Sequence, residues 1–184
     1  MNFYDNYAMQ AKQYAVFPLD RSLEYAALGL AGEVGELMEA VYQHVFQVRL
    51  HLDRFETWDH RRSEEGDVWW YLAAVCDAAD IPFSIVELAT APETSIENRA
   101  TIDDMYMSLG RGLKHISGAV KKTIRDDGGY FSSKRKDAVI EGVMQIASSL
   151  KWLSADYKAI MIANLNKLED RKRNGTIKGD GDNR

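Results

Sequence analysis

Apolar residues recur along this chain at the spacing of an α-helix. Near the N-terminus Tyr4, Tyr7, Ala11 and Tyr14 follow one another at three- and four-residue intervals, which places their side chains on one helical face. The same spacing predicts helices at 4–14, 23–48, 64–79, 84–88, 102–125, 136–153 and 157–173. No stretch sustains the alternation of a half-buried strand. The sequence therefore predicts an all-α protein that folds as a helical bundle.

Capping residues and helix breakers suggest where these helices begin and end. Asp20 or Ser22 is suited to cap the second helix, and Ser63 is the predicted cap of the helix that begins at residue 64. The charged segment 51–62, with its scattered aromatics, is compatible with either a helix extension or an ordered loop. Proline, threonine and serine residues make 91–101 the predicted linker.

The second half of the chain can be aligned with the first. Residues 30–41 match 109–120, and residues from 67 onward match those from 141 onward. This alignment places Glu33 against Gly112, Glu36 against His115, Glu39 against Gly118, Glu64 against Ala138 and Asp67 against Glu141. It predicts one compact domain built as a fused pseudo-dimer of two helical repeats, 1–90 and 102–173, with a glycine-rich basic tail at 174–184. Only the first repeat carries the acids, so we expect one asymmetric site per chain.

Composition narrows the class of protein. The chain has 184 residues, of which 46% are hydrophobic, enough to bury one core. A net charge of -5 argues against binding a nucleic-acid polymer, which usually requires a basic surface. Cys76 is the only cysteine, and no signal peptide or long apolar segment is present. We therefore expect a cytoplasmic protein that has no disulfide and does not associate with membranes.

Two pairs of acidic residues are the strongest chemical signal. Glu33 and Glu36 are three residues apart, as are Glu64 and Asp67, so each pair lies on one helical face. Four inward carboxylates from two helices form an oxygen-only ligand set, typical of Mg²⁺ or Mn²⁺. The alternative is a charged helix surface. Glycines at 29, 32 and 35 predict close packing of this helix against a neighbour.

These acidic segments resemble the MazG-like family of all-α nucleoside triphosphate pyrophosphohydrolases, which are related to dimeric dUTPases and phage dCTPases. The matching stretches are LGLAGEVGE at 28–36 and EEGDVWWYL at 64–72, which fit the family pattern of E-x-x-E, a spacer and E-x-x-D. A third match, ANLNKLEDR at 163–171, resembles the closing helix of the family. The tail at 174–184 resembles the tails of its phage-type and bacterial members.

The resemblance implies hydrolysis of a nucleoside triphosphate to a monophosphate and pyrophosphate. It implies two or more Mg²⁺ or Mn²⁺ ions held by Glu33, Glu36, Glu64 and Asp67. Glu33 and Glu36 are the predicted catalytic residues, and Glu36 is the candidate general base. The family pattern also favours a homodimer or a higher homo-oligomer. The preferred base and sugar stay open.

Substrate-binding residues are predicted outside the acidic pairs. Asn164, Lys167, Arg171 and Lys178 are the candidates for binding phosphate, and Trp70, Gln10 and Gln13 are the candidates for a base pocket. For the cations the alternative is a solvated helix face, and for Trp70 it is core packing. The basic clusters at 121–122 and 134–136 and the four scattered histidines are predicted to have ordinary surface or core roles.

Two other functions are compatible with inward acids on helices. One is a nucleotide-binding or assembly module that retains the fold without turnover. The other is a di-iron carboxylate oxidoreductase. That class typically carries Glu-x-x-His elements, and no histidine in this sequence follows a glutamate at that spacing.

Overall fold

The computed structural model describes residues 1–49, 55–90, 99–128 and 131–176, and all the regular structure in these ranges is helical. The helices are α1 (Phe3–Ala11), α2 (Ser22–Arg49), α3 (Phe55–Ala78), α4 (Arg99–Asp126), α5 (Ser133–Leu153) and α6 (Tyr157–Arg173). Short 3-10 helices occupy Lys12–Tyr14, Leu19–Arg21 and Phe83–Leu88. The predicted all-α class is confirmed. None of the described helices combines the length and the apolar character needed to cross a membrane.

Two helical hairpins form the frame of the bundle. Helix α2 packs along α3, and α4 packs along α5, while α6 lies against α3 and α2 also touches α4. Large buried side chains from both hairpins, including Leu37, Trp69, Leu109 and Ile146, belong to one hydrophobic core. Each such side chain stabilises the fold by roughly 1.5–3 kcal/mol. The division into two repeats stays a prediction.

Helix α3 begins at Phe55, so the predicted cap at Ser63 is wrong and 55–62 is a helix extension. Burial explains this extension. Arg61 is almost completely buried and lies one helical turn before Glu65, with Nη1 3.3 Å from the Glu65 carboxylate. Ser154 donates a hydrogen bond of 2.6 Å to the same carboxylate oxygen. A charged segment is therefore fixed as helix by buried partners, one of which lies far away in sequence.

Two other predicted boundaries are also corrected. Helix α4 begins at Arg99, so the last three residues of the predicted linker are helical, and residues 91–98 lie outside the described part of the chain. Helix α5 begins at Ser133 with Ser132 in extended backbone at its N-cap, which is three residues before the predicted start.

The predicted close packing at the glycines of α2 is confirmed at one position only. A Cβ atom on Gly29 would lie 2.0 Å from Cε1 of Tyr71, so the aromatic ring occupies that space. At Gly32 and Gly35 the prediction is wrong, because a Cβ atom there would have no described neighbour within 4 Å apart from the backbone of its own helix. A close backbone approach occurs in the second hairpin instead, where a Cβ on Gly142 would lie 2.7 Å from the carbonyl oxygen of Gly112, and a Cβ on Gly112 would lie 2.8 Å from that of Gly142.

Candidate functional site

Three carboxylates meet between α2 and α3. Glu33 extends from α2, and Glu64 and Asp67 extend from one face of α3, so that one oxygen of each lies within 4.8 Å of the others. The Glu64 side chain is 1% exposed and that of Asp67 is 13% exposed. We call these three residues the acidic cluster. It contains three of the four residues predicted to bind a metal ion.

The pKa of Glu33 reflects its burial and the repulsion within this cluster. Burial and the neighbouring charges of Asp67, Glu36 and Glu64 raise the pKa of Glu33 to about 8, while Lys167 opposes the shift. Without a cation, Glu33 therefore holds a proton at neutral pH. A divalent cation would take the place of that proton, because metal binding and deprotonation of the ligands are linked.

Helix α6 completes the site from the other end of the chain. Asn164 Nδ2 donates a hydrogen bond of 2.6 Å to Asp67 Oδ1, and Lys167 Nζ donates to Asp67 Oδ2. Lys167 also donates to Ser63 Oγ at 3.1 Å. Gly66 makes this approach possible, because a Cβ there would lie 2.9 Å from Cβ of Asn164. The structure thus joins the acids of the first half to two predicted phosphate-binding residues of the second.

The donor set fits a hard divalent cation. It consists of carboxylate oxygens, and each carboxylate has about four acceptor positions, so the contacts to Asp67 leave room for a cation. Asn164 supplies a further observation: it is 4% exposed, and its buried Oδ1 has no hydrogen-bond partner among the described residues. A water molecule held by Mg²⁺ or Mn²⁺ would donate to this oxygen.

The remaining predicted ligands and phosphate-binding residues lie at or beyond the edge of the acidic cluster. Glu36 is exposed and is not among the three carboxylates that meet within 4.8 Å, although its charge contributes to the raised pKa of Glu33. Arg171 lies one helical turn beyond Lys167 and is half-buried. Lys178 lies outside the described residues. The roles assigned to these three residues stay predictions.

The candidates for a base pocket are arranged differently from the acids. Trp70 is 8% exposed, and its indole Nε1 donates to the backbone oxygen of Ala11 at 3.1 Å, so its polar edge is occupied by packing against α1. Gln13 is exposed and Gln10 is half-buried, and neither takes part in a side-chain hydrogen bond within the described structure. Trp70 lies one helical turn after Asp67 and packs edge-on against Tyr71, with ring centroids 4.8 Å apart. The role of the three residues as a base pocket stays a prediction.

Two tyrosines lie beside the cluster, and one of them, Tyr25, was not among the residues that we predicted. Tyr71 packs on Gly29, and its pKa is raised by burial, by Tyr25 and by the charges of Glu33 and Asp67. Tyr25 stacks near Tyr71 with ring centroids 6.5 Å apart and is 43% exposed. Tyr25 precedes Glu33 by eight residues, about two helical turns, and this spacing was the signal available in the sequence.

His60 is a further residue that sequence reasoning missed. Its Nδ1 lies 3.2 Å from Glu64 Oε1, one helical turn away on α3. The four-residue spacing of His60 and Glu64 indicated this contact. When protonated, His60 places a positive charge at the edge of the acidic cluster.

An open cleft of about 260 Å³ lies alongside the cluster between α3 and α6. Its lining includes Asn164 and Lys167, which contact Asp67, and Arg62. Arg62 is held in place by a two-bond contact with Asp156, at 2.9 and 2.8 Å. The cleft therefore offers cationic side chains next to the acidic cluster.

Comparison with known proteins gives a likeness to a phage protein. No family model matches the chain, and no solved structure matches it. The Gene 37 protein of Mycobacterium phage L5 is 39% identical to it over 86 residues, which is 42% of this chain and 72% of the phage protein. The chain therefore belongs to the same family as the Gene 37 protein of Mycobacterium phage L5.

Proposed function

We propose that this protein is a Mg²⁺-dependent nucleoside triphosphate pyrophosphohydrolase, which converts a (d)NTP to the monophosphate and pyrophosphate and so cleans or remodels a cytoplasmic nucleotide pool. One observation carries the proposal. Three carboxylates suited to a divalent cation lie directly against Asn164 and Lys167, which are suited to phosphate oxygens. A triphosphate with its metal ions is complementary to this arrangement, because its cations match the carboxylates and its phosphate oxygens match Asn164 and Lys167.

The residues of the chain have separate tasks in this reaction. Glu33, Glu64 and Asp67 would hold the cations, and Mg²⁺ bound there would neutralise phosphate charge and make a water molecule more acidic. Lys167 fixes the orientation of Asp67 and carries a charge toward the phosphates. Attack of water on the α-phosphorus breaks its bond to the oxygen that bridges to the β-phosphate, and Glu36 is the proposed acceptor of the water proton.

The nucleoside part of the substrate has a suitable surface nearby. Tyr25 is partly exposed and its ring stacks near that of Tyr71, beside Glu33. Aromatic rings bind bases through stacking, which tolerates any base. The identity of the preferred base then depends on hydrogen bonds to its edges, so a panel of substrates is the informative experiment.

The test is incubation of the protein with each (d)NTP and Mg²⁺, followed by separation of the products. We expect monophosphate and pyrophosphate. Changing Glu64 to Gln should lower the rate at least about 100-fold, because a buried metal ligand is lost. The matched control is Glu39→Gln, an exposed glutamate on α2 outside the acidic cluster, which should keep the wild-type rate. Release of inorganic phosphate and a nucleoside diphosphate would contradict the proposal.

A second candidate function is a nucleotide-binding module without turnover. The observation in its favour is that both oxygens of Asp67 already accept hydrogen bonds, from Asn164 and Lys167. Tight binding of a triphosphate without hydrolysis, in Mg²⁺ or Mn²⁺, would support this function over the first. The homodimer expected from the family resemblance is part of the enzyme proposal, and the mass of the protein in solution tests it.

A further inference from the structure

A second cleft, with the opposite charge, lies on the α4–α5 hairpin. It is an open cleft of about 670 Å³, and its lining contains five permanent cations: Lys114, Lys121, Lys122, Lys134 and Arg135. Among the described residues that line it there is no carboxylate. Such a concentration of positive charge is unusual in a protein whose net charge is -5.

Most of this positive charge is not neutralised by the protein. Arg135 is paired with Asp127 at 2.8 Å. Asp126, which lies near Lys122, is itself paired with Arg125. In the parts of the chain that the structure describes, none of the four lysines comes within the 4.0 Å ion-pair distance of a carboxylate. Their mutual repulsion favours an anion in the cleft.

The cleft overlaps only in part with the positions that correspond to the acids of the first hairpin. In the alignment of the two halves, His115, Gly118 and Ala138 of the cleft stand opposite Glu36, Glu39 and Glu64. The close approach of Gly112 to Gly142 leaves no space for a buried cluster between these two helices. The cations of the cleft come from other positions of α4 and α5. Glu141, which the alignment sets against Asp67, is outside the lining and lies 3.3 Å from Nε2 of His115.

We propose that this cleft binds a phosphate-rich anion of nucleotide size, such as a polyphosphate chain. Lys114 and Lys121 are two helical turns apart, about 10.5 Å along the axis, a span that a chain of phosphates can follow from one ammonium group to the next. Lysine ammonium groups bind phosphate as point charges. The N-terminal end of α5, where Lys134 and Arg135 lie, adds the positive end of a helix dipole.

The lining favours a small anion over a nucleic-acid strand. Single-stranded nucleic acid is held by aromatic side chains on which successive bases stack, and no Phe, Tyr or Trp is among the described residues that line the cleft. The acidic net charge also opposes binding of a long polyanion across the rest of the surface. This site requires no turnover at the acidic cluster, so it goes beyond the proposed function.

Calorimetric titration with inorganic tripolyphosphate, in EDTA and at low salt, tests the proposal. EDTA leaves the acidic cluster negatively charged, so the anion cannot bind there through a metal. We expect measurable binding that the double change Lys121→Ala/Lys122→Ala weakens at least about tenfold. The matched control is Arg111→Ala/Lys158→Ala, which removes two exposed cations outside the cleft and should keep the wild-type affinity.

Several results would overturn this inference. Absence of binding to the wild-type protein would do so, as would equal weakening in the control variant, which would indicate a general charge effect. Loss of binding in Lys167→Ala, with no loss in the cleft variant, would place the anion at the acidic cluster. If a short single-stranded oligonucleotide bound more tightly than tripolyphosphate, the ligand of the cleft would be a nucleic acid and not a small anion. Circular dichroism of each variant establishes that it is folded.

Discussion

Replacing Glu33 by Gln should stabilise the protein in the absence of metal, and only at high pH. The pKa of Glu33 is about 8 in the folded protein against a usual value of 4.5, so the folded state binds this proton more tightly than the unfolded state. The free energy of unfolding of the wild type therefore falls as the pH rises from 4.5 to about 8. Glutamine resembles the protonated carboxyl group and has no such loss.

The size of the effect follows from the shift. A change in the pKa of Glu33 from 4.5 to about 8 corresponds to a loss of about 5 kcal/mol in the free energy of unfolding at high pH. Glu33 is only partly buried, so solvent screens the repulsion and we expect about 2 kcal/mol. The variant should therefore exceed the wild type by about 2 kcal/mol at pH 8 and differ little from it at pH 5.

Magnesium should reverse this order. At a free concentration of about 100 times its dissociation constant, a cation that binds only the folded protein adds about 2.7 kcal/mol. The wild type receives this gain at pH 8, while Glu33→Gln lacks one ligand and receives less. The same experiment therefore separates the repulsion of the carboxylates from their use as ligands.

Urea unfolding followed by circular dichroism, at pH 5 and pH 8 and with EDTA or Mg²⁺, measures these differences. Glu39→Gln is the control on the same helix, since Glu39 is exposed and lies outside the acidic cluster. A Glu33→Gln protein less stable than the wild type at pH 8 in EDTA would refute the repulsion. Equal stabilisation of both proteins by Mg²⁺ would mean that the ion binds elsewhere.

Three further predictions concern two tightly packed glycines and one buried carboxylate, with Gly110→Ala as a control. Gly66→Ala should destabilise the protein by about 1–2 kcal/mol and lower turnover, because its Cβ would meet Asn164 at 2.9 Å and displace α6; urea unfolding and the hydrolysis assay check this. Gly112→Ala should lower the free energy of unfolding by about 2–3 kcal/mol, whereas Gly110→Ala, with open space around it, should be neutral or slightly stabilising. The pKa of Glu65 is raised to about 7 by burial. Wild-type stability should therefore fall between about pH 5 and pH 7 by up to about 3 kcal/mol, and Glu65→Gln should reduce that fall in a pH series of unfolding curves.

The part of the acidic cluster that could be predicted from the sequence is the part set by the geometry of a single helix. Glu64 and Asp67 share a face of α3 because they are three residues apart, and the same rule places Lys167 one turn after Asn164. The meeting of Asn164 with Asp67 required the alignment of the two halves and the family resemblance, because no local spacing connects residues 97 positions apart.

Other features depend on contacts that no local pattern reveals. The charged segment before Ser63 is helical because Arg61 is buried against Glu65 and Ser154, and the second partner lies 93 residues away from Arg61. Glu36 shares the spacing of a ligand with Glu33, yet the turn of α2 leaves it exposed. Spacing predicts which face a residue occupies, while the depth of burial depends on the neighbouring helices.

The contact between Gly112 and Gly142 has a consequence for engineering of the chain. A glutamate at position 112 would place its Cβ 2.5 Å from Ile146 and 2.8 Å from a backbone oxygen, so the two helices would have to separate before a carboxylate could be accommodated. No single substitution can therefore place an acid at this position without disturbing the core. A second acidic site built into the α4–α5 hairpin would require several simultaneous changes, because its two helices would first have to be moved apart.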